Sequence, residues 1–281
     1  MKIGVITDCF KKTLDDCIKT AGKLGVDGVQ IYATSGEFSP ETLTVARKEE
    51  IKRLLKENNL VVSALCGDMG GFGFEKKEEN AERVEKTKKI INLAAEFGAS
   101  TVTTHIGVIP QDKNQPRYNV MLEAITEAGI YAKEWGVTLA IETGPENAKT
   151  LLAFLKDTKG GVGVNLDPAN FVMVTGQNPV EAVKILKDYI VHTHAKDGVK
   201  LSDAQTPAEI YHAFATGGVD ALNACESFKE KPLGEGHVNW AEYISALKET
   251  GYDGFLTVER ETGGSPEEDI VKAVDFLKKV L

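Results

Sequence analysis

Eight times along the chain a short β-branched run gives way to a longer stretch of helical periodicity, and few folds accommodate that rhythm. The runs occupy residues 3–7, 28–32, 61–66, 101–105, 137–142, 162–167, 190–194 and 255–259. Strands that alternate with helices pair in parallel, because each helix carries the chain back along the sheet before the next strand begins. The intervening segments suit that task. ETLTVARKEEIKRLLKENN and NAERVEKTKKIINLAAEFG repeat apolar residues at intervals of three and four with charges between them, the pattern of a helix covering a sheet. Several close on glycine, as in KLGVDG, AEFGAS, KEWGVT and KETGYDG, where a left-handed helix cap favours a residue without Cβ. Eight such units predict an α/β protein, a (β/α)8 or TIM barrel built as one domain over residues 1–281.

One segment breaks the rhythm. About forty residues, 197–239, separate the seventh strand from the helix that starts near Trp240. Within it PAEIYHAF is a candidate short helix, and the whole reads as a lid, a subunit contact in a homo-oligomer, or a tolerated surface insertion. After the third strand, CGDMGGFGFEKKEEN joins glycines to Phe72 and Phe74 and reads as a water-excluding aromatic flap or as a plain surface loop. It has no P-loop spacing, and its GGFG lacks the context of a dinucleotide site.

Charge and cysteine usage narrow the function classes. A formal net charge of -9 and a pI near 5.2 repel a polyphosphate backbone, which argues against nucleic acid as a partner. Cys9, Cys17, Cys66 and Cys225 form no CxxC pair and no dense framework, which fits a reducing cytoplasm. No window approaches the roughly twenty consecutive apolar residues of a membrane span, and the apolar run at the amino terminus is too brief for a secretory segment. The expectation is a soluble, untargeted protein without membrane partners.

The chemistry gathers at the ends of the last four strands. VTLAIETG ends a strand at Glu142, GVGVNLDPAN at Asp167, YIVHTHAKD at His194 and GFLTVERE at Glu259. In such a barrel the carboxyl ends of all strands open on one face, and neighbouring strands lie roughly 5 Å apart, so these four side chains can surround one ion. Three carboxylates crowded away from water repel one another and resist ionisation unless a cation compensates. Three oxygen donors and one imidazole, without thiolate, suit Mn2+, Mg2+ or Co2+ ahead of a structural zinc, with zinc and iron left open. Any one of the four could instead be a charge marking the point where a strand meets solvent. Their succession on four strands favours the shared site.

Residues two apart on a strand share a face, so Asn165, His192, Thr257 and Thr103 should form a polar layer beneath Asp167, His194, Glu259 and His105. That layer orients the ligands from below or simply fills the lumen. His105, at the end of TVTTHI, should face the same mouth, where it could hydrogen-bond a substrate hydroxyl.

The motifs IETG, NLDPAN, HTHAKD and LTVERE, with PLGEGHVNW before the last helix and strand, resemble the xylose isomerase-like family of sugar and sugar phosphate isomerases and epimerases over the whole chain. The resemblance implies that Glu142, Asp167, His194 and Glu259 bind one divalent metal, manganese foremost, and that Glu142 and Glu259 are also the catalytic acid and base. It implies further that Lys196, Asp197 and Glu235 line the pocket, while Asn170 stands where a histidine often follows the Asp-Pro pair. The implied activity is isomerisation or epimerisation of a small keto-sugar, keto-polyol or sugar phosphate through an enediolate steadied by the ion. The nearest alternative is a lyase, an inosose dehydratase or keto-glycoside-cleaving enzyme, in which the same enediolate expels a β-substituent. A non-catalytic sugar-binding barrel ranks below both because the two glutamates are present. A nuclease acting on damaged DNA does so because of the acidic balance and the five histidines.

Overall fold

A computed structural model describes residues 1–263 and 265–281, with the side chains of all of these except residues 222 and 223. In chain order the strands are β1 (Lys2–Ile6), β2 (Gly28–Tyr32), β3 (Val61–Cys66), β4 (Thr101–Thr104), β5 (Thr138–Glu142), β6 (Val162–Leu166), β7 (Ile190–Ala195), β8 (Asp197–Lys200), β9 (Phe228–Lys231) and β10 (Phe255–Val258). All but β8 and β9 close into one parallel barrel of order β1-β10-β7-β6-β5-β4-β3-β2. Each barrel strand lies within one residue of the span expected from hydrophobic periodicity.

The helices are α1 (Leu14–Leu24), α2 (Val45–Glu57), α3 (Lys77–Glu96), α4 (Pro116–Glu134), α5 (Ala148–Asp157), the short α6 (Pro168–Asn170), α7 (Pro179–Leu186), α8 (Pro207–Asn223), α9 (Trp240–Glu249) and α10 (Pro266–Val280), and all but α6 and α8, which lie at the barrel mouth, form the outer ring. Local chemistry sets several of these ends. Thr13, Thr44, Asn147 and Asn239 each accept a backbone N–H from the first turn of the helix that follows. Between ring and barrel lies the main core, where Ile18, Ile51, Ile91, Met121, Ile125 and Phe154 are fully buried. Side chains of this size contribute about 1.5–3 kcal/mol each by leaving water, which makes the helix-to-barrel layer the chief source of stability.

Strand alternation then divides the barrel residues. In β6, Val164 and Leu166 join the helix-facing core, whereas Asn165 between them points into the lumen and meets His194. Register brings lumen residues together laterally: Glu142 pairs with Asn165, Asn165 with His192, and Thr257 with His194.

The 197–239 segment is more regular than its composition suggests. β8 and β9 form an antiparallel hairpin, and the expected helix at PAEIYHAF runs on to Asn223 as α8. Gly218 breaks α8 with φ 62° and ψ -154°, a conformation open to glycine. A small second core of Ala169, Met173, Ile210 and Phe228 ties this segment to the turn after β6.

Candidate metal centre

The carboxyl ends of β5, β6, β7 and β10 bring Glu142, Asp167, His194 and Glu259 together, each buried, with ligand atoms all within 4.8 Å of one another. The imidazole is the hub. His194 Nδ1 lies 3.3 Å from Glu142 Oε1, 3.2 Å from Glu259 Oε2 and 3.7 Å from Asp167 Oδ2.

Asp167 provides the test of whether the group suits a cation. Its Oδ1 accepts the N–H groups of Ala169 and Asn170 at 2.7 and 3.0 Å, whereas its Oδ2 is buried with no hydrogen-bond partner among the described residues. A buried carboxylate oxygen left in that way costs about 1–3 kcal/mol or more, which an ion at the centre would offset. The electrostatics point the same way. Burial opposes a charge on His194, but Glu142 and Glu259 outweigh it and hold the imidazole pKa well above its usual value. Burial would raise Glu259, yet Lys196 and His194 keep it well below the carboxylate range, while burial raises Asp167. This site demands positive charge, and its oxygen-rich donor set can hold a metal ion.

The expected polar layer lies directly beneath. Asn165, His192, Thr257 and Thr103 are all buried, and Thr257 Oγ1 lies 2.9 Å from His192 Nε2. Burial, aided by His194, pushes the His192 pKa down to about 3, so this ring is neutral. Gln30 joins the layer unannounced. Its Oε1 lies 3.3 Å from His194 Nε2 and its Nε2 donates to Thr103 Oγ1 at 3.2 Å, an arrangement that leaves His194 Nδ1 facing the carboxylates. A lone glutamine within GVQIY was the sequence signal for it.

At the mouth, His105 Nδ1 lies 3.0 Å from Asp68 Oδ2 and its Nε2 lies 3.9 Å from Glu142 Oε1. Burial works against its protonation, but Glu142 and Asp68 prevail and raise the pKa to about 10. Lys196 is buried and donates to Glu259 Oε2 at 3.0 Å and to Glu261. Asn170 lines the same cavity, anchored by donation from its Nδ2 to the Thr143 carbonyl at 2.9 Å.

Asp197 and Glu235 lie outside that lining. The Asp197 carboxylate accepts N–H groups from Gly198, Gly234, Gly236 and Val238 and from the Trp240 indole, at 2.8–3.2 Å. With five donors it acts as a staple that fastens the returning 234–240 stretch to β8, which explains LGEGHVNW without a ligand. Glu235 is exposed on the same turn. Phe74 of the glycine-rich loop is buried and donates its N–H to the Ile106 carbonyl at 2.9 Å, and Phe72 lies 5.4 Å from the His212 ring. That loop is pinned rather than free.

Several cavity residues went unrecognised in the sequence: Tyr32, Cys66, Asp68, Tyr211, Phe214 and Glu261. Tyr32 and Cys66 end strands and Asp68 and Glu261 lie in loops, whereas Tyr211 and Phe214 belong to α8, at the segment whose role as lid or contact the sequence left open. Glu146, four residues beyond Glu142 in ETGPEN, is buried with Oε2 unpartnered, and burial pushes its pKa up to about 8.

The sequence pattern described as xylose isomerase-like TIM barrel matches residues 18–280. A xylose isomerase domain protein from Planctomyces limnophilus is similar at 26% identity, covering 99% of this chain and 96% of its own, with a TM-score of 0.79. The probable 3-DHS dehydratase AsbF from Bacillus anthracis shares 21% identity over 99% of each chain with a TM-score of 0.78. A D-tagatose 3-epimerase-like protein shares 21% over 100% of this chain and 97% of its own, with a TM-score of 0.76. The last two likenesses concern the fold.

Proposed function

The chain belongs to the xylose isomerase-like TIM barrel family, and from that premise we propose that it is a divalent-metal-dependent isomerase or epimerase of a small keto-sugar, keto-polyol or sugar phosphate. The observation that carries the reading is the placement of Glu142 and Glu259. β6 and β7 lie between β5 and β10, so the two carboxylates reach the His194 imidazole from different sides, at 3.3 and 3.2 Å. In this reading the two glutamates, with Asp167 and His194, hold one ion, and the oxygen-rich set suits Mn2+, Mg2+ or Co2+. When bound, the ion supplies stabilisation of the negative charge that develops on the oxygens of an α-hydroxy ketone as its carbon-bound proton leaves.

The protein's own groups do the rest. One glutamate takes the carbon-bound proton and the other delivers a proton to the enediolate. Delivery to the opposite face of the same carbon gives the epimer, and delivery to the neighbouring carbon, with a proton passing from one oxygen to the other, interconverts ketose and aldose. Lys196, hydrogen-bonded to Glu259 at 3.0 Å, fixes that carboxylate in place. His105, oriented by Asp68, presents Nε2 to a substrate hydroxyl, and Asn170 contributes from the same wall. Residues of α8, including Tyr211 and Phe214, close the cavity as a lid that keeps water from the enediolate. Four free cysteines accord with a reducing cytoplasm as the site of action.

A lyase is the second reading. Lys196 and His105 are proton donors at the mouth that could protonate a departing β-hydroxyl, and one structural neighbour is the probable 3-DHS dehydratase AsbF. Mass separates the readings, because isomerisation conserves it and dehydration removes water. Glu142→Gln and Glu259→Gln should each abolish exchange of the substrate α-proton with D2O, followed by mass spectrometry. Undiminished exchange in both variants would remove the acid and base roles.

A further inference from the structure

Two kinds of wall enclose the cavity above the four ligands. One is acidic, formed by Asp68, Glu142, Glu230, Glu259 and Glu261, with Asp167 behind them. The basic groups among its described lining residues are Lys196 and His105, and both are engaged: Lys196 with Glu259 and Glu261, His105 with Asp68. No arginine is among the described residues that line it. Arg260, next to Glu259 in sequence, turns its guanidinium to Glu230 at 2.7 Å and Asp269 at 2.9 Å. The backbone N–H groups that open the turn after β6 are also taken, since Ala169 and Asn170 donate to Asp167 Oδ1. A divalent ion, Lys196 and His105 can bring at most four positive charges to the six carboxyl groups, and Arg260 meets Glu230 from outside. The cavity therefore has no positive surplus for an anion.

The other wall is apolar. Met173, Ile210, Tyr211, Phe214 and Phe228 form it, contributed by the turn after α6, by α8 and by β9. The Phe214 and Tyr211 rings stand 5.6 and 6.4 Å from the His105 ring, so the aromatic surface faces an imidazole that comes within 3.9 Å of Glu142. Such a surface suits the carbon-bound hydrogens of a sugar or polyol.

Resting on the function proposed above, we infer that the substrate is an uncharged keto-sugar or keto-polyol, neither phosphorylated nor carboxylated, held with its C–H face against Tyr211 and Phe214. A phosphate placed a few ångströms from these carboxylates, with every basic group of the lining already paired, should weaken binding by about 100-fold or more.

The test uses the full chain loaded with Mn2+. Isothermal titration calorimetry compares matched pairs, a ketohexose with its phosphate ester and an inosose with its phosphate ester, while mass spectrometry follows deuterium uptake from D2O in the same samples. At least one neutral member should bind, with its ester about 100-fold or more weaker. Phe214→Ala should weaken the neutral ligand about tenfold at unchanged Mn2+ stoichiometry. Equal or tighter binding of an ester overturns the inference, as does failure of every neutral member to bind, and unchanged affinity in Phe214→Ala overturns the aromatic contact. Neutral binding without deuterium uptake supports the uncharged ligand and counts instead against the enolisation chemistry.

Discussion

Glu146 and Asp197 are both buried carboxylates, and their surroundings give them opposite consequences. Asp197 is met by five N–H donors, whereas Glu146 keeps one oxygen unpartnered and has its pKa raised by burial to about 8. Between its ordinary value of 4.5 and about 8 the folded chain holds the Glu146 proton that the unfolded chain has released. Stability tied to this residue is therefore complete below pH 4.5 and is lost as pH rises through about 8. Glu146→Gln should remove that loss. Urea denaturation at pH 5 and pH 9 should show the variant gaining on the wild type with pH, by on the order of 4 kcal/mol at most. Parallel profiles would sink the assignment. At this scale the ligands were legible because acids and histidine end successive strands, while Asp68, Glu146 and Glu261 lie in loops where charge has no periodicity to betray it.

At the scale of elements, the barrel strands could be read almost to the residue, because β-branched runs and glycine stops are local signals. The 197–239 segment could not. Its hairpin exists because Asp197 through Lys200 finds Phe228 through Lys231 across a helix, and such pairing leaves no mark in either strand alone. The staple at Asp197 depends on the return path passing close by: a Cβ on Gly236 would lie 2.0 Å from Asp197 Oδ1 and 2.5 Å from the Gly198 nitrogen. Gly236→Ala should thus force the seam apart and leave buried donors unpaired, at about 2–4 kcal/mol. Thermal denaturation measures this, and an unchanged melting temperature would mean that the 234–240 turn adapts without the contact.

For the whole molecule, closure of the barrel is what gathers four acids and bases from residues 142 to 259 into a space of 4.8 Å. An ion binding only the closed form should stabilise it by about 2.7 kcal/mol at a hundredfold excess over its Kd, raising the melting temperature by several degrees. Calorimetry with Mn2+ and then with excess chelator should show the rise and its reversal, and Asp167→Asn should lose most of it. A wild-type melting temperature indifferent to both additions would argue that no resident ion couples to the fold.

The sequence alone determined the order of strands and helices, the parallel closed barrel and which residues stand at the strand ends, because all of these follow from periodicity and chain direction. It also carried the polar layer, through the two-residue repeat of a strand. Only the tertiary structure decided that Gln30 belongs to that layer, that Asp197 is a staple, that Lys196 is spent on Glu259 and Glu261, and that α8 supplies an aromatic wall. The physical reason is that a side chain's role depends on which partner satisfies its charge and hydrogen bonds, and those partners arrive from distant parts of the chain.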